Sequence, residues 1–131
     1  MRRRRPRAAL VAMLGAVLLA PATRAQSLFE FDDWMQRIDA GNQDLQRRIA
    51  KRDREGALSF ARELEELYGR MEKFFEVRGT GEPAVRMSRE GRALAADAVR
   101  HLGRSNYNAA RANALRIARG CRACHIEYKP L

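Results

Sequence analysis

What most constrains the fold of this chain is a set of four apolar stripes, each recurring every three or four residues and each closed by a turn signal. That spacing is the period of one helix face, whereas a strand would alternate at every second residue. The first stripe, over about 28–51, consists of Phe31, Met35, Ile38, Asn42, Leu45 and Ile49. Glu30, Asp32 and Asp33 fall in its first turn, where negative charge suits the helix dipole. Asp53 reads as the N-cap of a second helix to about residue 77, with Ala57, Phe60, Ala61, Leu64, Leu67, Tyr68, Met71, Phe74 and Phe75 facing inward.

The run Gly79-Thr80-Gly81-Glu82-Pro83 is the clearest break, and Pro83 suits the first turn of a third helix that reaches about residue 102. Its inward face, Met87, Gly91, Leu94, Ala95, Ala98 and Leu102, includes residues small enough to let something bulky come close. After a turn at 103–106, Ser105 or Asn106 can cap a fourth helix over 107–128. That helix presents Tyr107, Ala110, Ala114, Ile117, Ala118, Cys121, Cys124 and His125 inward. With no strand pattern, repeat or low-complexity segment, the expected fold is all-α, an antiparallel up-down-up-down four-helix bundle.

The last of these helices carries Cys121-Arg122-Ala123-Cys124-His125, the spacing of a c-type haem attachment site. Residues at i, i+3 and i+4 share a helix face, so two thiols for thioether bonds and one imidazole for iron are presented together. A redox dithiol, a disulfide and half of a zinc site use the same C-x-x-C spacing. The chain has no third cysteine and its only other histidine is His101, so a tetrahedral zinc site lacks its usual ligands. A thioredoxin-like pair sits at the start of a helix, where the dipole lowers the thiol pKa; this pair ends one.

The formal charge of +10 and the run Arg2, Arg3, Arg4, Arg5 and Arg7 raise the question of nucleic-acid binding. The run is followed by 13 uncharged, mostly apolar residues from Ala8 to Ala20, then Pro21 and the small-residue stretch Ala22-Thr23-Arg24-Ala25. A basic start, a short apolar run and a small-residue cleavage site describe a secretory signal peptide over residues 1–25, and the run is short of the ~20 residues that span a bilayer. Cleavage after Ala25 removes six of the 26 basic residues and none of the 16 acidic ones, lowering the charge from +10 to +4. Nucleic acid then loses its main support as a partner. The expected mature product, residues 26–131, is an exported single domain with no membrane span once the signal is cut. Export and motif agree, since c-type haem is attached after translocation.

On the motif Cys121 to His125 near the C-terminus of a four-helix pattern, the chain resembles the class II cytochromes c, the cytochrome c prime family. The resemblance covers the whole mature chain in architecture, with one highly specific motif. It implies a bacterial periplasmic protein with one covalent haem c, Cys121 and Cys124 as thioether anchors and His125 as proximal iron ligand. The family has high-spin members, whose sixth iron position is open, and low-spin members that fill it with methionine from the first helix. Met35, one to two turns into the first helix on its inward face, matches that methionine and is the expected distal ligand; Met71 and Met87 fall at the same end of such a bundle. Methionine at an inward position is otherwise a flexible core filler. The family often places a basic residue four after the haem histidine, here Lys129, but Pro130 follows at once.

Trp34, Phe31, Phe74, Phe75 and Tyr68 read as core or pocket wall, and His101 as a surface or helix-end residue. Arg116, Arg119, Arg122 and Lys129 around the motif suit haem propionates, an acidic redox partner or simply solvent. Glu63, Glu65 and Glu66 read as a solvated face, and no acid/base constellation suggests an enzyme. The expected role is electron transport with redox partner proteins, homodimer formation being a family habit. Binding of nitric oxide or carbon monoxide at an open sixth site is the alternative. A haem-free dithiol oxidoreductase or helical interaction module fits the motif less well.

Overall fold

The computed structural model describes residues 28–79 and 81–128; the signal-peptide reading of residues 1–25 and the expectations for Lys129 and Pro130 lie outside them. The described residues form four helices and no strand: α1 (Leu28–Ala50), α2 (Arg54–Arg78), α3 (Glu82–Gly103) and α4 (Tyr107–Tyr128). They match the four periodic stretches to within a residue or two. Each helix packs on the next and α4 packs back on α1, so the four close a bundle around one core.

Two of the three corners are the same piece of local chemistry. After α1, Arg52 takes a left-handed backbone conformation (φ 54°), its N–H donating to Ile49 O and that of Asp53 to Arg48 O. After α3, Ser105 does the same (φ 55°), with N–H bonds from Ser105 to Leu102 O and from Asn106 to His101 O. Both are Schellman-type endings, which satisfy carbonyls that a helix end leaves unpaired. The next residue in each case caps the following helix: Asp53 Oδ1 accepts from Gly56 N at 3.0 Å, and Asn106 Oδ1 from Ala109 N at 3.2 Å. The remaining ending, after α2, uses Gly79 at φ 63°, where glycine carries no steric penalty.

The two Schellman corners are tied together. Tyr107 Oη donates to Arg52 O at 3.2 Å while the Arg52 guanidinium lies over the Tyr107 ring, and Arg54 donates to the carbonyls of Leu102 and Gly103 at the end of α3. Elsewhere the start of α1, the end of α2 and the end of α4 meet through aromatic rings. Phe31 stacks on Phe74 at 4.4 Å between centroids, Trp34 meets Phe74 edge-on, and Phe75 lies 6.3 Å from Tyr128. This cluster fastens the part of the bundle from which the Cys-His motif projects.

The core follows the stripes with a slight rotation in α1 and α3. Trp34, Ile38, Gly41, Asn42, Leu45 and Ile49 are the buried residues of α1, while Phe31 and Met35 are half-buried at its edge. In α3 the buried set gains Ala84, Val85 and Ser88, and Met87 is half-buried. In α2 every inward residue of the sequence pattern is buried except the half-buried Phe60. Three polar side chains share the interior: Ser88 Oγ donates to Ala84 O, Asn113 Nδ2 to Leu94 O and Asn42 Nδ2 to Ala114 O. Among the described residues no helix is long and apolar enough to cross a membrane.

Candidate functional site

The last two turns of α4 lie over a cavity of about 280 Å³ to which all four helices contribute. α1 supplies Met35 and Ile38, α2 Tyr68 and Met71, and α3 Met87, Ser88, Gly91 and Leu94, with Glu90 at the edge. α4 closes it with Arg116, Ile117, Arg119, Gly120, Cys121, Ala123 and Cys124. The volume is near the lower end of the roughly 300–1,000 Å³ common for small-ligand sites.

Both thiols reach this space. Cys121 and Cys124 are half-buried, line the cavity and are not joined by a disulfide. Burial pushes both thiols above their ordinary range; the Tyr68 hydroxyl partly offsets this for Cys121, and Cys121 adds to it for Cys124. A reactive dithiol needs the opposite shift, toward thiolate, and the helix end that favours it is the N-terminus rather than this C-terminal end.

His125 lies one turn beyond Cys121 on the same helix face, half-buried, and is not part of the cavity wall. Its Nε2 is buried and has no hydrogen-bond partner. Leaving such an atom unsatisfied costs about 1–3 kcal/mol. In the tautomer with its proton on Nδ1, this nitrogen offers a lone pair to a metal. Among the described residues no group of three or more His, Cys, Asp and Glu side chains converges on one point. Two adjacent thiols, an orphaned imidazole nitrogen and a mainly apolar cavity form a donor set that fits a covalently anchored haem.

Met35, Met71 and Met87 all line the one cavity, so the structure brings together the three thioethers that sequence position leaves undistinguished. They differ in freedom. Met71 is 4% exposed and packed within the core, whereas Met35 and Met87 are half-buried. His101, in the last turn of α3, is not on the cavity wall.

Two contacts of the site go beyond the sequence reading, which places Arg116 and Arg119 around the motif and Tyr68 in the core or pocket wall. The Arg116 guanidinium lies 3.5 Å from the Glu90 carboxylate, joining α4 to α3 at the cavity edge, while Arg119 lies beside them. Tyr68 is 6% exposed and sets its hydroxyl 3.5 Å from Cys121 Sγ. Burial pushes the phenol's pKa well above its ordinary value, so the hydroxyl keeps its proton. A hint lay in Gly91, a glycine inside a strong helical pattern, which marks a close approach by a neighbour. No protein-family model, curated protein or solved structure compared with this chain matches it.

Proposed function

We propose that this protein is a periplasmic mono-haem c-type cytochrome that carries single electrons. The observation that carries the reading is the placement of Cys121 and Cys124 on a methionine-lined cavity, with the unpartnered Nε2 of His125 one turn beyond. Cys121 and Cys124 would hold a haem through thioether bonds, and His125 and Met35 would ligate its iron. A haem held there would supply reversible iron(III)/iron(II) chemistry. The chain's part would be to keep the same two ligands in both states, so that little rearranges on electron transfer, and to exclude water with Ile38, Leu94 and Ile117, which line the cavity. Methionine ligation raises the potential, and burial tunes it further.

The helices alternate in direction in this reading. Its support is that partners rise along one helix as they fall along the next: Phe31 with Phe74 and Arg37 with Glu63 between α1 and α2, and Glu72 with Arg89 and Arg54 with Leu102 between α2 and α3. Export rests on the basic start, apolar run and small-residue stretch of residues 1–25, and redox proteins as partners on the electron-carrier reading.

The test is expression with a c-type haem maturation system, followed by the visible spectrum of the reduced protein with and without carbon monoxide. Colour that stays with the chain under denaturing conditions, and a low-spin spectrum unmoved by carbon monoxide, are expected. Absence of covalent haem from a chain exported alongside a correctly matured control overturns the reading. A high-spin spectrum that shifts with carbon monoxide replaces electron transfer by gas binding.

A further inference from the structure

Tyr68 does more than fill space at the cavity. A buried phenol ordinarily finds a hydrogen-bond partner, and Cys121 Sγ at 3.5 Å is the one this hydroxyl has among the described residues. The ring is held there by what Gly91 lacks: a Cβ at position 91 would lie 2.6 Å from both Cδ1 and Cζ of Tyr68. α3 therefore comes close enough to fix the ring against α4 only because residue 91 has no side chain.

The direction of the hydrogen bond depends on what Cys121 is. As a thiol, either partner can donate. As a thioether the sulfur has no proton and can only accept, so the phenol must be the donor. The hydrogen of the O–H group then points at the ring-bound sulfur, placing the positive end of a fixed dipole beside the macrocycle. Reduction adds one negative charge there, and a dipole in that orientation favours the reduced state, more strongly in an apolar pocket than in water.

We propose that Tyr68, wedged by Gly91, is a positioning residue that donates a hydrogen bond to the Cys121 thioether sulfur and thereby raises the reduction potential of the attached haem. This rests on the haem reading above. Hydrogen bonding around the cofactor is one of the levers by which a protein sets such potentials.

The experiment is redox titration of the haem-loaded wild type, Tyr68→Phe, Gly91→Ala and the double variant, each first checked for one covalent haem per chain. Tyr68→Phe keeps the ring and removes only the oxygen, so the fold and haem content persist while the potential falls. Gly91→Ala displaces the ring and lowers the potential too. Added to Tyr68→Phe it lowers the potential no further, a non-additivity expected when both changes remove one interaction. A Tyr68→Phe potential equal to wild type, with haem attached, overturns the proposal and leaves the cytochrome reading intact. Failure of the exported wild-type chain to take up covalent haem alongside a correctly matured control overturns both.

Discussion

Gly91 of α3 faces the ring of Tyr68 of α2 with no room for a side chain, since a Cβ there would stand 2.6 Å from two of the ring carbons and closer still to Cε1. Two opposing effects decide what Gly91→Ala does. Alanine gains about 1 kcal/mol over glycine inside a helix. Overfilling a packed interior costs about 1–3 kcal/mol, and the obstacle here is an aromatic ring, not the flexible end of a long chain. Gly91→Ala is therefore expected to lower stability by about 1 kcal/mol in urea unfolding. In a Tyr68→Ala background the overlap is gone and the same substitution should stabilise, so an unchanged sign would refute the packing account.

Ser105 offers the reverse case. It is exposed and holds a left-handed conformation at φ 55° where Gly79 does the same task at φ 63°. An L-residue with a side chain pays about 1–2 kcal/mol for that conformation, and glycine loses about 0.5–1 kcal/mol more backbone entropy on folding. Ser105→Gly should thus stabilise the protein by roughly 0.5 kcal/mol, seen as a higher urea midpoint at unchanged slope. The Ser105 N–H bond to Leu102 O is a backbone bond and survives the change.

The difference between those two positions shows what the sequence could and could not reveal. Helices were legible because a 3.6-residue period is a property of each segment alone, and the Asp53 cap because an acidic residue before an apolar stripe has few other uses. The Cys121, Cys124 and His125 constellation was legible for the same reason: its geometry is local to one helix. The wedge between Gly91 and Tyr68, and the Arg116–Glu90 pair, depend on how α2, α3 and α4 are rotated against one another. No single segment encodes that rotation. Left-handed Arg52 and Ser105 were hidden because the usual residue for such a corner is glycine or asparagine.

The Asp53 cap gives a pH-dependent contribution whose sign is fixed. The hydrogen bond from Gly56 N, and then Arg48 at 2.7 Å, hold its carboxyl below the ordinary carboxylate value. The folded-state value is thus lower than the unfolded one. The contribution is fully present above the unfolded pKa of about 3.9 and is lost as pH falls through the folded value. Asp53→Ala should lower the unfolding midpoint at neutral pH and lose less of its remaining stability on acidification than wild type does. Asp53→Asn, which keeps an acceptor but not the charge, should recover much of the midpoint without the acid dependence. Denaturant curves from roughly pH 6 to pH 3 decide it, and a parallel decline of wild type and Asp53→Ala would remove the carboxylate from the account.

Asn42 is a buried polar residue only half satisfied: its Nδ2 donates to Ala114 O at 3.2 Å, and its Oδ1 has no partner. Ala114 O lies within α4, so the loss of Asn42 leaves that carbonyl its place in the helix ladder. Replacing the amide by an apolar side chain of similar shape exchanges one neutral hydrogen bond, about 1 kcal/mol, for release of an unmade one and added apolar burial. Asn42→Leu is expected to leave stability unchanged or raise it by up to about 1 kcal/mol. A loss above about 2 kcal/mol would mean that the Oδ1 atom has a partner, such as an ordered water, worth keeping.

The cavity methionines separate by function and by burial. Met35 is half-buried on the cavity wall and Met71 is 4% exposed within the core, yet both face the same space. If Met35 holds the iron, Met35→Ala removes a ligand but little core, so the haem-loaded protein should stay folded, lose its low-spin spectrum and bind carbon monoxide when reduced. Met71→Ala should do the opposite, keeping the spectrum while costing about 2–5 kcal/mol of stability as a buried side chain is truncated. Visible spectra and urea curves on the two variants form one experiment with crossed outcomes. A spectrum altered in Met71→Ala and unchanged in Met35→Ala would move the ligand from α1 to α2, and an effect in neither would leave Met87 as the thioether to test.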